Sequence, residues 1–220
     1  KNVFVMEAMW TRFLPSMDAV FDCLKKGMIG TPNLVMADHS QYLPPEVSAR
    51  LWDLHQGGGA LLDLGIYPVS FAARVLGLPD EVLAVGRLSF EGVDEATSMV
   101  FNYEDGSQAA LTTSALVAGP VTATIMGDKG SIEIDRTFYA QTSFTVYDND
   151  RKVIFRYDTP PVPGTGRQFQ AIEAERCVAE GLLESPVMSV EESVDLMQIL
   201  DDVRLEIGVV WDYEDEIINP

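Results

Sequence analysis

From about residue 80 to residue 158 the sequence is a series of short β-rich runs separated by tight turns, and no other stretch restricts the fold as much. Met99, Phe101 and Tyr103 alternate with Ser98, Val100 and Asn102, the two-residue period of a strand with one buried face. Glu104-Asp105-Gly106-Ser107 carries an Asp-Gly pair, which suits a hairpin turn needing positive φ, and Gln108–Val117 is the return strand. Further turns stand at Gly127-Asp128-Lys129-Gly130 and Asp148-Asn149-Asp150. Parallel neighbours need a crossover of about a dozen residues or more, so runs joined this closely are mostly antiparallel. On the strand 108–116, Gln108, Ala110, Thr112 and Ser114 make one face small and polar. Such a face suits water, or another flat sheet across a dimer axis.

The flanks read differently. Val3–Met9 is a short, continuous apolar run, the pattern of a strand buried in a parallel sheet. A lone parallel strand has no partner, so this reading expects further sequence upstream. From Pro15 the period changes: Met17, Val20, Phe21 and Leu24 mark one helix face and Gly27 a stop. Thr31–Tyr42 reads as a strand, ended by Leu43-Pro44-Pro45, and residues 43–59 as a loop ending in Gly57-Gly58-Gly59. A helix is expected from about Ala60 to Leu76, closed by Gly77. Pro68 lies inside it and lacks the N–H that would bond the Leu64 carbonyl, so the helix must kink or begin anew there. After Pro160–Gly164, helices are expected over about Arg167–Leu183 and Val190–Val210. Thr165 with Gln168 and Ser189 with Glu192 fit a capping box at their starts.

Charge excludes some classes of function. With 15 basic and 34 acidic residues the chain carries −19, and such a field repels phosphate backbones and anionic membranes. Residues 171–220 hold 14 Asp/Glu against Arg176 and Arg204. That reads as solvated helix faces, with an acidic adaptor surface as the competing view. Cys23 and Cys177 lie far apart with no framework spacing, which fits reduced thiols in a cytoplasmic protein. No apolar run reaches about 18 residues, and the start lacks the features of a signal peptide.

Several chemistries lack their motifs. No G-x-G-x-x-G follows a strand, no P-loop is present, and there is no G-x-S-x-G elbow. Gly57-Gly58-Gly59 serves either as a phosphate cradle or, more simply, as a tight start to a helix. His39 and His55 have no metal-ligand spacing, so no metal is expected. Two groupings remain. Asp63 and Tyr67 are four apart, on one face of the expected helix, and Ser70 and Arg74 continue that polar stripe on an otherwise apolar helix. It is either an Asp–Arg line at the surface or a stripe with something specific against it. The second grouping, Glu7-Ala-Met-Trp10-Thr-Arg12-Phe13, follows the apolar run, where open α/β sheets bind ligands. Trp10 and Arg12 are either structural or a stack and clamp for a polar ligand.

Four segments give the chain a family resemblance: Met6–Phe13, Gly57–Pro68, Gly127–Ile132 and Gly181–Pro186. The sequence resembles the C-terminal part of the glucose–fructose oxidoreductase and inositol dehydrogenase (Gfo/Idh/MocA) family, nearest its dihydrodiol dehydrogenase and NADP-dependent xylose dehydrogenase branch. The resemblance implies an α+β fold: a large, mostly antiparallel open sheet with helices on one face. It makes residues 1–29 the last strand and helix of a Rossmann domain and residues 30–220 the substrate and dimerisation domain. It implies that Tyr67 exchanges a proton with the reacting hydroxyl, with Asp63 as its acidic partner. Trp10 and Arg12 match the segment bordering substrate and nicotinamide, and Glu7 and Arg12 its cofactor side. NADP or NAD would be bound mainly by an upstream domain, which also supplies a catalytic lysine.

An unperturbed tyrosine has a pKa near 10 and is about one part in a thousand ionised at neutral pH, so a nearby ammonium would help it act. Lys1, Lys25, Lys26, Lys129 and Lys152 are the chain's lysines, and no motif sets one beside Tyr67. The expectation is therefore an oxidoreductase fragment, inactive alone, acting on a sugar or cyclic diol and dimeric through its open sheet. The alternative is a stand-alone dimerisation or sugar-binding module without redox activity.

Overall fold

The structure is a computed structural model that describes residues 2–162 and 164–211. Lys1 and the acidic residues beyond Trp211 named above lie outside them. Among the described residues four α-helices, α1 (Pro15–Lys25), α2 (Ile66–Leu76), α3 (Gln168–Ala179) and α4 (Val190–Ile207), accompany eight strands. These are β1 (Pro32–Ser40), β2 (Glu81–Leu88), β3 (Asp94–Asn102), β4 (Gln108–Ser114), β5 (Ala123–Gly127), β6 (Gly130–Ile134), β7 (Phe144–Asp148) and β8 (Val153–Tyr157). The chain divides into two compact units, residues 1–32 with 124–197, and residues 33–123 with 198–220.

In the second unit the strand order is β2-β3-β4-β1. The hairpin pairs β2/β3 and β3/β4 are antiparallel, as short turns require, while β1 and β4 are far apart in sequence and pair in parallel. Register brings Val82, Phe101, Ala109 and Val35 into one row and Ala84, Met99, Leu111 and Ala37 into the next. The three outer strands and β1 thus bury one face, on which Phe101, Val35, Met99 and Leu111 are fully enclosed. On the opposite face, Leu83, Val100, Ala110 and Met36 form an apolar row beside Val85, Ser98, Thr112 and Asp38. Gln108 and Thr112 are exposed there as alternation predicts, but Ser114 is buried, its hydroxyl turned to the backbone of Glu95 and Leu116.

In the first unit β5-β6-β7-β8 follow in order, with β6/β7 and β7/β8 antiparallel. Residues 2–9 form no strand, and Val3 and Val5 are exposed. This corrects the expected strand over Val3–Met9. A strand needs ladder partners, whereas among the described residues this segment's one backbone bond outside its own turn runs from Val5 N–H to the Leu183 carbonyl. α1 does form and ends at Gly27, whose φ of 66° is the left-handed stop the sequence implied. At α3 the expected capping box is absent: Arg167 occupies the N-cap with no side-chain cap. At α4 half of it forms. Ser189 Oγ accepts from Glu192 N–H at 3.1 Å, but the Glu192 carboxylate turns to the buried guanidinium of Arg12. A cation is a stronger partner for a carboxylate than a neutral amide.

Helix formation at residues 60–76 departs most from the regular pattern. The first turn, Leu61–Gly65, is π-helical and runs without a break into α2. The Leu54–Leu76 stretch is long and apolar enough to cross a membrane by composition alone, yet 56% of its most apolar window is buried inside the protein. Its start is held by Asp94, a buried carboxylate that accepts from Leu61 N–H at 2.7 Å and Thr97 Oγ1 at 3.1 Å. Each preceding glycine has a separate reason. Gly57 has φ 63°. A Cβ on Gly58 would lie 2.6–2.9 Å from the carbonyl oxygens of Leu51, Asp53 and Arg50, and one on Gly59, at φ 114°, would lie 2.1 Å from Asp94 Oδ1.

Two predictions follow from this clamp. Gly59→Ala is expected to cost more than about 2 kcal/mol, because a strained φ adds to the displacement of Asp94; Gly57→Ala, with nothing within 4 Å, should cost about 1–2 kcal/mol. Urea unfolding separates the two, and equal losses would remove Asp94 from the explanation. Burial raises the Asp94 carboxyl from 3.8 to about 6, so the folded protein holds that proton more tightly than the unfolded chain. Its contribution to stability is then complete below about pH 4 and lost by about pH 6, a change of about 3 kcal/mol. In Asp94→Asn this loss should vanish when unfolding is compared at pH 4 and pH 7.

Candidate active site

The buried face of the second unit continues into a row of Gly86, Thr97, Thr113 and His39. Helix 60–76 lies directly on it: a Cβ on Gly65 would be 3.3 Å from Thr113 Cγ2. The Thr113 hydroxyl reaches the carbonyls of both His39, at 3.1 Å, and Ala60, at 3.3 Å, so one side chain serves strand and helix backbones in turn. Leu51, Ala60, Leu64 and Ala115 pack together as a small core beneath the helix start, with Leu43 and Trp52 against it.

His39 stands at the edge of this core, 1% exposed. Its Nδ1 is 3.0 Å from the Leu64 carbonyl oxygen. A carbonyl only accepts, so Nδ1 carries the proton and donates. The neutral ring's Nε2 then presents a lone pair, and it lies 2.7 Å from Nε2 of Gln41, an amide donor. Burial drives the imidazole down to about 4, which keeps it neutral at pH 7. The Leu64 carbonyl is the one that Pro68 deprives of its helical N–H. The ring of Tyr67 meets the His39 ring edge-on, with centroids 4.9 Å apart and planes at 74°. Tyr67 is half-buried at the opening of α2.

Asp63, on the π turn, forms an ion pair with Arg50 from the loop before the triple glycine. Both are partly exposed, so the pair adds at most about 1 kcal/mol; its consequence is to fix where the carboxylate points. Asp63 and Tyr67 thus occupy the same helical segment, as their spacing predicts. Further along the stripe, Ser70 is buried and Arg74 half-buried.

The other expected residues belong to the first unit. Trp10 and Arg12 lie on a 3-10 turn, Trp10–Phe13, rather than at a strand end, and both are buried. Trp10 meets Tyr139 edge-on at 5.9 Å and has the Arg167 guanidinium 5.2 Å above its ring. Arg12 Nη1 is 2.5 Å from Glu192 Oε1. Burial lowers the Arg12 pKa and Glu192 opposes that shift. Glu7 is exposed and accepts from Ala8 N–H. Lys25, Lys26, Lys129 and Lys152 all belong to this unit, and Tyr67 to the other.

Among the described residues, no group of three His, Cys, Asp or Glu side chains is placed to hold a metal. Three residues missing from the sequence expectations are His39, Gln41 and Arg50. For His39 a signal existed: a proline inside a helix leaves a carbonyl in need of an outside donor. Nothing in the spacing of Gln41 or Arg50 marks them.

Comparison with known proteins places this geometry. Residues 17–133 match the model of the GFO/IDH/MocA C-terminal domain. The chain is 34% identical over 218 residues to trans-1,2-dihydrobenzene-1,2-diol dehydrogenase of Xenopus tropicalis and 33% identical over 220 residues to that of Homo sapiens. In each case 96% of this chain aligns and spans 64% of the relative's length. Among solved structures it resembles an aldose-aldose oxidoreductase from Caulobacter crescentus complexed with glycerol, with TM-score 0.76 and 20% identity over 90% of this chain and 59% of that one. It also resembles a 3-ketoreductase from Actinomadura kijaniata in complex with NADP and TDP-benzene, with TM-score 0.76 and 24% identity over 94% and 63%. The helix start built on three glycines, the sheet beneath it and the matched segment together make this chain a member of the Gfo/Idh/MocA family, within that family's C-terminal domain.

Proposed function

We propose that the chain is the substrate-side part of an NAD(P)-dependent oxidoreductase that moves a hydride between nicotinamide and the hydroxyl-bearing carbon of a sugar or trans-dihydrodiol. The similarity to the dihydrobenzenediol dehydrogenases supports the reaction class, and the NADP complex of the structurally similar 3-ketoreductase supports the cofactor. The pyrophosphate does not fit the triple glycine of this chain. The space beside Gly59 is filled by the Asp94 carboxylate and that beside Gly58 by three carbonyl oxygens, all repulsive to an anion. Dinucleotide binding is therefore assigned to a separate domain, without which this chain is inactive.

The observation that carries the reading is Tyr67, half-buried on the family's helix and backed by a neutral histidine ring. Tyr67 passes the proton of the reacting hydroxyl through its own phenol oxygen. Asp63, turned by Arg50, orients the substrate or the tyrosine. Trp10 and Arg12, fixed by Tyr139 and Glu192, border the polar ligand, and Glu7 and Arg12 the nicotinamide side. The exposed face bearing Leu83, Val85, Val100 and Met36 is assigned to a second copy of the chain, since a contiguous exposed apolar patch is a usual mark of association.

In the protein carrying its dinucleotide domain, Tyr67→Phe is expected to lower kcat by about 100-fold or more, with cofactor affinity retained; near-normal turnover would sink the assignment. Sedimentation should show a dimer that Val85→Glu with Val100→Asp converts to monomer, and an unchanged dimer would move the interface elsewhere.

A further inference from the structure

We propose that His39 is a positioning residue for Tyr67: by donating Nδ1–H to the Leu64 carbonyl it supplies the bond that Pro68 cannot make and fixes the turn from which Tyr67 projects. This inference rests on the proposed role of Tyr67 and adds a residue to it. Three contacts converge on the histidine. The 3.0 Å bond to Leu64 ties it to the helix three residues before Tyr67. The edge-on ring contact at 4.9 Å ties it to Tyr67 itself. Gln41 Nε2 at 2.7 Å holds the other nitrogen and so selects the tautomer.

Local geometry explains why the helix needs this support. Leu61–Gly65 is π-helical and Ile66–Leu76 α-helical, so the backbone changes its bonding pattern immediately before Tyr67. Pro68 has no N–H to direct at Leu64 at the α-helical spacing of four. The His39 bond to the Leu64 carbonyl and the ring contact to Tyr67 together limit how far this turn can tilt. Thr113, paired with His39 in the register, bonds the carbonyls of both His39 and Ala60. The donor therefore sits on a strand whose distance from the helix is itself set. Displacements near 1 Å at a reacting group change rates by about 100-fold, which makes such a fixture relevant to turnover as well as to folding.

Two variants divide the ring's functions. Asn places an amide nitrogen where Nδ1 stands, so His39→Asn keeps the donor and loses the ring. His39→Phe keeps the ring and loses the donor. In the protein with its dinucleotide domain, His39→Phe is expected to lower kcat by about 10-fold or more with KM changed by less than about 2-fold, and His39→Asn to recover most of that loss. The reverse order, or equal losses, would overturn the proposal. In a Tyr67→Phe background His39→Phe should add little, because the group it positions is gone; a full further loss would make it a purely structural residue. Ring 15N chemical shifts of the unaltered protein need no variant to fold: they should report the Nδ1–H tautomer, and an Nε2–H ring would refute the bond. If Tyr67→Phe is itself fully active, the reading of Tyr67 fails, while the tautomer measurement still decides whether His39 holds Leu64.

Discussion

A missing amide proton governs the candidate site. Pro68 stands at the third residue of α2 and has no N–H to offer the Leu64 carbonyl at the spacing of four. Leaving a buried polar group unpaired costs about 1–3 kcal/mol, and the surroundings add a donor. They do so with a buried imidazole on β1, and everything near it is arranged to make that imidazole a donor at Nδ1. It is enclosed, which keeps it neutral, and the neighbouring amide of Gln41 faces the other nitrogen. The π turn before the proline belongs to the same solution, since it shifts the bonding pattern at the point where a regular helix would fail.

The upstream end of the helix is held by a different force. A helix start exposes N–H groups and the positive end of its dipole, and a carboxylate is well matched to both. Asp94 comes from β3 and is distant in sequence, so the match is tertiary and demands that the chain pass very close to the carboxylate. Gly59 permits that approach and Gly58 the neighbouring one. The three glycines are thus spent on steric access and backbone conformation, and none remains as a phosphate nest. The helix carrying Asp63 and Tyr67 is fastened at its first turn by Asp94 and at its fourth residue by His39.

Much of the fold could be read from the sequence because local rules decide it. The Asp-Gly hairpin between β3 and β4 and the left-handed Gly27 after α1 each follow from the chemistry of one or two residues, whereas the irregular turn lies at Leu61–Gly65, ahead of the Pro68 at which a kink or new start was expected. Pairing β1 in parallel with β4 was not legible, because no local signal reports a partner some 70 residues away. Val3–Met9 failed as a strand for a related reason: apolar character licenses burial, and only a neighbour's backbone makes a ladder. At the site, the Asp63–Tyr67 spacing was legible from helix geometry, while Arg50 was hidden because a loop arginine meets its carboxylate through the fold alone. The capping box at Ser189 shows the same competition on a small scale. Glu192 has two possible partners, and the choice depends on a buried arginine 180 positions earlier in the sequence.

The charge of the chain fits the division of labour proposed for it. A net charge of −19 opposes any ligand bearing phosphates, and the carboxylate and carbonyls around the glycines oppose it locally as well. A sugar or a diol is uncharged, so this field neither attracts nor repels it, and its recognition rests on hydrogen bonds and shape. In the proposed reaction a tyrosine and an Arg-fixed carboxylate on one helical segment would meet a neutral polyol through hydrogen bonds. An acidic partner domain would face the dinucleotide's charge problem again, so the phosphates need a source of positive charge and backbone N–H groups that this chain does not offer at its glycines. That requirement follows from the position of Asp94, independently of any family resemblance.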